Sequence, residues 1–333
     1  MNKPTSERGV ELILRQPRHQ TFNHDDVAEF YEEVLADPRV SPAHMNRLVE
    51  KTAHLAYGVL SKAGLGLSLC SRPPFFKSLP GGRHDWFAIM MGFHVLMCVP
   101  YFMFPGRKSI YLFDAWPTSH ARILQFVQSW EVDHVFVSSS QAAERLNQQI
   151  GGRRFTWMPE GVSPEKYRRR PYAEKDIDVL QLGRRYEAYH NQIVAGLENH
   201  KKTYLYERQR GRVIFPSRGE FLDGLARSKL SICVPCSITH PDRAGDIETM
   251  TMRYLQSMAS KCLVVGHAPA EMIDLFGYNP VIEIDKENPD KQLLELLDRF
   301  EDYIPLIEKN YAVLASEHTW HKRWHQIARI ILS

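Results

Sequence analysis

The feature that most restricts the fold is an alternation of short apolar strands with amphipathic helices from residue 108 onward. KSIYLFDAW and DHVFVSSS read as buried strands, and each is followed by a segment with helical spacing. The same alternation restarts at DIDVLQLG and continues through KLSICVPCS and KCLVVGH. Apolar, β-branched strands that alternate with helices predict parallel sheets whose two faces are both covered by helices.

A polar and basic stretch, SPEKYRRRPYAEKD, separates the two alternating regions and has the composition of a linker. The chain of 333 residues is long enough for two domains. We therefore predict an α/β domain over residues 1–163 and a second one over residues 164–315. Ligands of open parallel sheets bind beyond the carboxyl ends of the strands, so the functional residues are expected there.

The first 83 residues show mostly helical spacing, as in DDVAEFYEEVLAD and AHMNRLVEKTAHLAYGVLSKAG. The uncharged run AIMMGFHVLMCVPYFMF, residues 88–104, raises the question of a membrane span. A spanning helix needs about 20 apolar residues, and this run is shorter and is interrupted by Pro100. We expect a buried helix that ends near Cys98, followed by a strand from Val99 to Phe104.

The composition places the chain among soluble globular proteins, with 44% hydrophobic and 24% charged residues. The net charge of +3 is small for this length and gives no indication of a nucleic-acid partner. Five cysteines, an odd number, argue against a disulfide framework and for a reducing compartment. The N-terminal segment MNKPTSERGVEL lacks the apolar region of a secretory signal, and we predict a cytoplasmic location.

The stretch SICVPCSITH contains a Cys-x-x-Cys pair, Cys233 and Cys236. A redox pair requires its first cysteine at a helix N-terminus, and we expect a loop here, with no helix before about Glu248. A zinc site requires further ligands, for which His240 is the only nearby candidate. We therefore predict that both thiols are packing residues at the end of a buried strand.

The loop after this strand leads into the segment ETMTMRYLQSMASKCLVVG. In it, Glu248 is followed after seven residues by Gln256, then by small residues and an apolar strand. This pattern resembles the signature of the retaining group 1 glycosyltransferases of GT-B architecture, including the spore-maturation glycosyltransferase-like branch. The family usually has glutamate at both positions, and Gln256 cannot form the charge-assisted pair that a carboxylate makes with ribose hydroxyls.

Other stretches follow in the order typical of that family. YLFDAWPTSHARIL and FVSSSQAAERL are similar to its N-domain segments, WMPEGVSPEKY to its hinge turn, and DVLQLGRRYEAYHNQI to the strand and Gly-Arg turn that open its C-domain. RVIFPSRGEFLDGLARSKLSICVPCS is similar to the segment before the donor loop. The resemblance covers roughly residues 84–332, and the lysine usual after the Gly-Arg turn is replaced near Tyr189 and His190.

The resemblance implies two Rossmann-like domains that face each other across a cleft, with residues 316–333 forming a helix that returns to the N-domain. It implies a nucleotide-diphosphate-sugar donor in the C-domain and a glycan, lipid-linked or protein acceptor in the N-domain, as in polysaccharide biosynthesis. Transfer would retain the anomeric configuration and need neither a metal nor another cofactor. Glu248 would contact the hydroxyls of the donor sugar, and Gln256 the ribose. Asp114, at a strand end of the N-domain, is the candidate that orients the acceptor hydroxyl or contacts the donor sugar from the other side.

The charge of a departing diphosphate also has candidate partners. Arg184 and Arg185 lie on the turn after a C-domain strand, where guanidinium groups stabilise phosphate oxygens. A helix expected to start near Thr249 would offer backbone N–H groups to the same anion, with Arg253 one turn further along.

Each site residue also has a structural explanation. The arginines can be solvated turn residues, Glu248 a helix cap and Asp114 a turn residue. HTWHKRWH places three histidines on one helical face, but Trp320 and Trp324 favour a packing helix over a metal site. The basic run KYRRRP is interpreted as a solvated linker, and contact with an anionic membrane surface is its alternative.

The sequence is compatible with two other functions. Gln256 and the missing lysine are compatible with a catalytically inactive GT-B protein that binds a partner or serves as a scaffold. The same two-domain frame also occurs in nucleotide-sugar epimerases.

Overall fold

The computed structural model describes residues 9–13, 25–62, 85–183, 185–209 and 213–333. The chain divides into two compact units. The first extends from the N-terminus to Pro159 and includes Arg323–Ser333, and the second is Glu160–Lys322. Each unit contains one parallel sheet with helices, so the predicted fold class of two Rossmann-like α/β domains is confirmed.

The first unit contains a six-stranded parallel sheet with the strand order β2-β1-β3-β4-β5-β6. Its strands and helices are, in chain order, β1 (Val10–Ile13), α1 (Asp25–Leu35), β2 (Val40–Pro42), α2 (Arg47–Lys62), β3 (Asp85–Met90), β4 (Lys108–Leu112), α3 (His120–Ser129), β5 (His134–Val137), α4 (Ser140–Ile150) and β6 (Phe155–Trp157). Two of these strands, β1 and β2, lie in the segment for which the sequence predicts mostly helices.

The expectation of a buried helix between residues 88 and 98 is wrong. Asp85–Met90 forms strand β3, and every residue in it is buried. The strand pairs with β1 and β4, and because both of its faces are covered, its apolar residues do not alternate with polar ones. The expected strand from Val99 to Phe104 is also wrong, because Tyr101–Met103 forms a short 3-10 helix. Val95–Met97, before Cys98, forms another. None of the helices in the described ranges is long and apolar enough to cross a membrane.

The second unit contains a five-stranded parallel sheet with the order β11-β10-β9-β7-β8. Its strands and helices are β7 (Ile177–Gln181), α5 (Glu187–Asn199), β8 (Tyr204–Tyr206), α6 (Arg218–Arg227), β9 (Ser228–Cys233), α7 (Cys236–Thr239), α8 (Pro241–Ala244), α9 (Met252–Ala259), β10 (Leu263–Gly266), α10 (Ala270–Phe276), β11 (Ile282–Glu283), α11 (Pro289–Asp298) and α12 (Ile304–Glu317). Its core packs the fully buried Val179, Leu230 and Leu263 of three neighbouring strands against Ile193 of α5 and Leu293 of α11.

The last helix, α13 (Trp320–Ile331), begins in the second unit and continues into the first. The prediction that its tryptophans are packing residues is confirmed, since Trp320 and Trp324 are both buried. Trp324 packs against the ring of Phe87 and donates through Nε1 to Asp37 Oδ2 at 2.9 Å. Side-chain packing and a hydrogen bond therefore both hold the end of this helix in the first unit.

Candidate functional site

The second sheet has a point where the direction of the strand order reverses. The chain runs from β7 to β8 on one side and then returns to place β9 on the other side of β7. By the general rule for open parallel sheets, the loops after β7 and β9 then leave the sheet in opposite directions, with a crevice between them. In open parallel sheets this crevice, at the carboxyl ends of the strands, is where ligands bind.

Arg253 occupies this point. Its Nη1 donates to the carbonyl of Leu182, just after β7, at 3.1 Å, and its Nη2 lies 3.4 Å from the carbonyl of Val234, just after β9. Gly183 adopts a positive φ of +66° in the same turn, close to Arg253 Nη1. A guanidinium group carries five N–H donors, so these two bonds fix its position and leave donors for an anion.

The helix expected to start near Thr249 starts instead at Met252, after the N-cap residue Thr251. Glu271 Oε1 explains the difference, because it accepts from Thr249 Oγ1 at 2.7 Å and from the backbone N–H of Met250 at 2.8 Å. These bonds hold Thr249 in a buried loop with its hydroxyl engaged. The N–H groups and dipole of the helix start are therefore supplied by α9, whose second residue is Arg253.

Gln256 lies three residues after Arg253, on the same side of α9, and is buried. In the segment that connects β9 to α9, three hydroxyl oxygens are buried and have no hydrogen-bond partner within the described part of the chain; they belong to Ser237, Thr239 and Thr251. Buried polar groups are ordinarily hydrogen-bonded, and a bound polar ligand or water would supply partners for these three.

Glu248 precedes α9 and is hydrogen-bonded to a histidine that the sequence analysis did not select. His267 Nε2 lies 3.2 Å from Glu248 Oε2, and its Nδ1 lies 3.1 Å from Glu283 Oε2. Burial lowers the pKa of His267, but the hydrogen bonds and charges of the two glutamates outweigh it and raise the pKa above its ordinary value. His267 and Glu283 lie at the carboxyl ends of β10 and β11. The rule that ligands bind at the carboxyl ends of parallel strands, applied to these two strands, would have selected both.

In the structure, the Arg185 side chain contacts neighbouring residues of the second unit. Its guanidinium is paired with Glu187 Oε1 at 3.0 Å and lies over the ring of Tyr206, 5.7 Å from the centroid. Arg184 lies outside the described residues. The predicted phosphate contacts of both arginines stay predictions, and Arg253 is the predicted cation for which the structure gives a fixed position at the switch point.

The two cysteines of the Cys-x-x-Cys pair are both buried. The expected loop after Cys233 is wrong, because the four-residue helices α7 and α8 follow, and α7 begins at Cys236. Cys233 Sγ lies 3.8 Å from the hydroxyl oxygens of Ser231 and Ser257, and burial raises the pKa of its thiol. This environment suits a packing residue, since it disfavours the reactive thiolate.

Asp114 belongs to the first unit, where it lies half-buried two residues after the end of β4. Its predicted role toward an acceptor stays a prediction. In the ranges that the structure describes, no group of three or more His, Cys, Asp or Glu side chains could hold a metal ion.

No protein-family model and no curated protein matches this sequence. Solved structures do match it in three dimensions. HepE of Anabaena, in a complex with UDP and glucose, aligns with a TM-score of 0.57 at 10% sequence identity, over 97% of this chain and 99% of HepE. Sucrose-phosphate synthase of Thermosynechococcus elongatus aligns with a TM-score of 0.54 at 11% identity, over 89% of this chain and 80% of that enzyme.

TarM aligns with a TM-score of 0.52 at 11% identity, over 81% of this chain. This chain therefore spans 59% of the length of TarM. These neighbours have the GT-B fold. At 10–11% identity the likeness concerns the fold and not the chemistry. Together with the two parallel sheets described above, it shows that this chain has the GT-B fold.

Proposed function

We propose that this protein transfers a sugar from a nucleotide-diphosphate sugar to an acceptor. The observation that carries the proposal is Arg253, which is fixed by two backbone carbonyls at the switch point of the second sheet and stands at the start of α9. A guanidinium and the N–H groups of a helix start together form an anion site. The neighbours support a nucleotide ligand, because HepE was solved with UDP and with UDP-glucose.

The chemistry follows from the charge that develops during transfer. When the bond between the sugar and the diphosphate breaks, negative charge grows on the leaving phosphate oxygens, and donors already in place lower the barrier. In the proposal Arg253 supplies those donors, with Arg184 and Arg185 as further candidates. Glu248 accepts hydrogen bonds from the hydroxyls of the donor sugar, Gln256 contacts the ribose, and Thr249 supports the loop between them.

The finer parts of the proposal rest on the resemblance of the sequence to its family. They are retention of the anomeric configuration, independence from a metal ion, and a place near the spore-maturation branch. Fixed positive charge from Arg253 and the helix start is the physical reason why a divalent cation is not needed. The acceptor is a glycan, a lipid-linked sugar or a protein, and Asp114 is the proposed residue that orients its hydroxyl.

We further propose peripheral contact with the inner face of a membrane, which would suit a lipid-linked acceptor. Helix α2 supports it, because its outward side carries Leu48, Leu55 and Val59, which are 73%, 71% and 61% exposed. The basic residues of this helix, Arg47, Lys51 and Lys62, are also exposed. Apolar side chains flanked by cations are typical of helices that lie on anionic lipid. The run KYRRRP offers less support, since Arg170 is paired with Asp223 at 2.7 Å.

An activity assay with a panel of nucleotide-diphosphate sugars tests the proposal. We expect hydrolysis or transfer from one donor, unchanged by EDTA, with a product of the same anomeric configuration as the donor. Glu248→Gln and Arg253→Met should each lower kcat/KM at least tenfold, about 1.4 kcal/mol of transition-state stabilisation. Arg299→Met is the matched control, because Arg299 is exposed and is paired with Asp302, three residues further along the chain.

The same assay separates the alternative functions. Binding of a nucleotide sugar without any turnover would favour an inactive GT-B protein with a binding or scaffolding role. Conversion of the donor to its C2 epimer would favour a nucleotide-sugar epimerase. A wild-type protein that binds none of the donors would contradict both the transferase and the epimerase.

A further inference from the structure

His267 is the first residue after strand β10, and its backbone is fixed on both sides. Its N–H donates to the carbonyl of Cys233 at 3.1 Å, which ties it to the end of β9. Its carbonyl accepts from the hydroxyl of Tyr254 at 2.7 Å, which ties it to α9. Both contacts set the direction in which the imidazole leaves the chain, toward the loop that contains Glu248.

The imidazole stands between two carboxylates. Glu248 Oε2 lies 3.2 Å from Nε2, and Glu283 Oε2 lies 3.1 Å from Nδ1. An ionised carboxylate only accepts hydrogen bonds, so both ring nitrogens must donate, which requires the imidazolium form. Glu283 is anchored in turn, because its Oε1 accepts from the N–H of Ala268 at 3.0 Å and from Asn279 Nδ2 at 3.3 Å.

The other titratable and charged groups at this edge have partners of their own. On α9, Arg253 binds the carbonyls of Leu182 and Val234. On α10, Glu271 binds Thr249 and Met250. On β9, the Cys233 thiol is buried and contacts hydroxyls. The two glutamates are therefore the groups that set the charge state of His267, and they raise its pKa against the opposing effect of burial.

We infer that His267 is a positioning residue, whose imidazolium holds the Glu248 carboxylate in the orientation that receives the donor sugar. This rests on the proposed function, in which Glu248 contacts the hydroxyls of that sugar. A neutral imidazole keeps one N–H and presents a lone pair to one of the glutamates. Deprotonation of His267 therefore removes one of the two hydrogen bonds, and in the tautomer that keeps its proton on Nδ1 the bond lost is the one that positions Glu248.

The kinetic test is the pH dependence of donor KM and kcat in wild-type protein, His267→Gln and Glu283→Gln. In the wild type we expect donor KM to rise as the pH passes above the pKa of His267. His267→Gln should raise donor KM at least tenfold at neutral pH and remove this alkaline rise. Glu283→Gln should move the rise to lower pH, because one of the two carboxylates that favour the imidazolium is gone. His200→Gln, at an exposed histidine of the same unit, is the control.

A second measurement does not depend on turnover. NMR titration of the protein with ¹⁵N-labelled histidine follows each imidazole, and the signal that His267→Gln removes identifies His267 among the 15 histidines. We expect it to titrate above the ordinary value of about 6.5, and lower in Glu283→Gln than in the wild type. If His267→Gln does not fold, Glu283→Gln decides the kinetic test, and His267→Asn replaces His267→Gln for assigning the NMR signal.

The outcomes separate this inference from the proposed function. If the wild type turns over a donor and His267→Gln has the same donor KM and pH profile, the positioning role is wrong and the proposed transferase function is unaffected. Titration of His267 at or below its ordinary pKa would also overturn it, because both bonds require the imidazolium. A wild-type protein without affinity for any donor would overturn the proposed function and the positioning role together.

Discussion

At the scale of single residues, the clearest stabilising contact in the second unit is made by Lys175. This side chain is buried, and its Nζ donates to three backbone carbonyls at 2.9–3.1 Å, those of Ala226, Ser228 and Ser260. They lie at the C-terminal ends of α6 and α9, where helix carbonyls lack partners and a positive charge is favourable. One ammonium group therefore completes the ends of two helices.

Replacing Lys175 with Met should lower the free energy of unfolding by about 2–3 kcal/mol, because buried carbonyls would lose their donor. Urea denaturation followed by circular dichroism measures the change. Lys291→Met is the control, because Lys291 is exposed and forms a weak ion pair, with its Nζ 3.9 Å from Glu295 Oε1. This substitution should change stability by less than about 0.5 kcal/mol. A Lys175→Met protein as stable as the control would contradict the assigned role.

The raised pKa of His267 also predicts how stability depends on pH. The folded state binds the imidazolium proton more tightly than the unfolded state does, so the stabilising contribution is fully present below the unfolded pKa of about 6.5. It is lost as the pH rises through the higher folded pKa. Denaturation at several pH values should show wild type losing stability over this window relative to His267→Gln. A difference between the two proteins that stays constant with pH would contradict the prediction.

Some site residues can be found from sequence and others cannot. Glu248 is selected by the resemblance of its segment to the family signature, and Arg253 by its place one turn into the helix expected after it. The structure places both at the carboxyl edge of the second sheet. The start of α9 could not be predicted, because it depends on Glu271, which lies beyond the next strand and binds Thr249 through a tertiary contact. Local sequence favours a helix start at a Thr or Asp, but it does not show which candidate is held elsewhere.

At the scale of elements, α2 carries the feature most open to test. Tyr57 is its buried residue, and His54 Nε2 lies 2.8 Å from the carbonyl of Val99 on the inward side. The outward side is apolar and basic, as described above. Burying one exposed leucine or valine in a lipid interface is worth about 1.5–3 kcal/mol, so the face should bind anionic membranes measurably.

We expect wild-type protein to co-sediment with phosphatidylcholine vesicles that contain phosphatidylglycerol, and to do so less in high salt. The double variant Leu55→Ser with Val59→Ser should bind at least tenfold more weakly, about 1.4 kcal/mol. Val213→Ser is the matched control, because Val213 is an exposed apolar residue of the second unit. Equal sedimentation of the double variant and the wild type would contradict the proposed membrane contact.

Strand β3 shows why element prediction failed in the first unit. All six of its residues are buried, so DWFAIM gives neither the alternation of a half-exposed strand nor a helical stripe. A short apolar run of this kind fits a buried strand and a buried helix equally well. By contrast, β7 and β9 are bounded by polar turns and helix caps, such as the capping box of Ser217 and Glu220 before α6, and these signals are local.

At the scale of the whole molecule, the repeated alternation of strands and helices was sufficient to predict two parallel sheets. That pattern does not determine the order of the strands within each sheet. The return of the chain from β8 to the far side of β7 creates the switch point, and only the three-dimensional structure shows that Arg253 lies there. The sequence therefore indicated Glu248 and Arg253 but not His267, and only the topology shows which of the predicted residues lies at the switch point.

We propose that the second unit binds a nucleoside diphosphate through Arg253, and the other proposed roles depend on this binding. Isothermal titration of the full chain with UDP, GDP, ADP, CDP and TDP tests it, with Arg253→Met, Arg253→Lys and the Arg299→Met control in parallel. We predict that the wild type and the control bind at least one of these ligands equally, that Arg253→Met binds it at least tenfold more weakly, and that Arg253→Lys is intermediate. A wild type that binds none of the five, or an Arg253→Met protein that is folded and binds like the wild type, would contradict the claim.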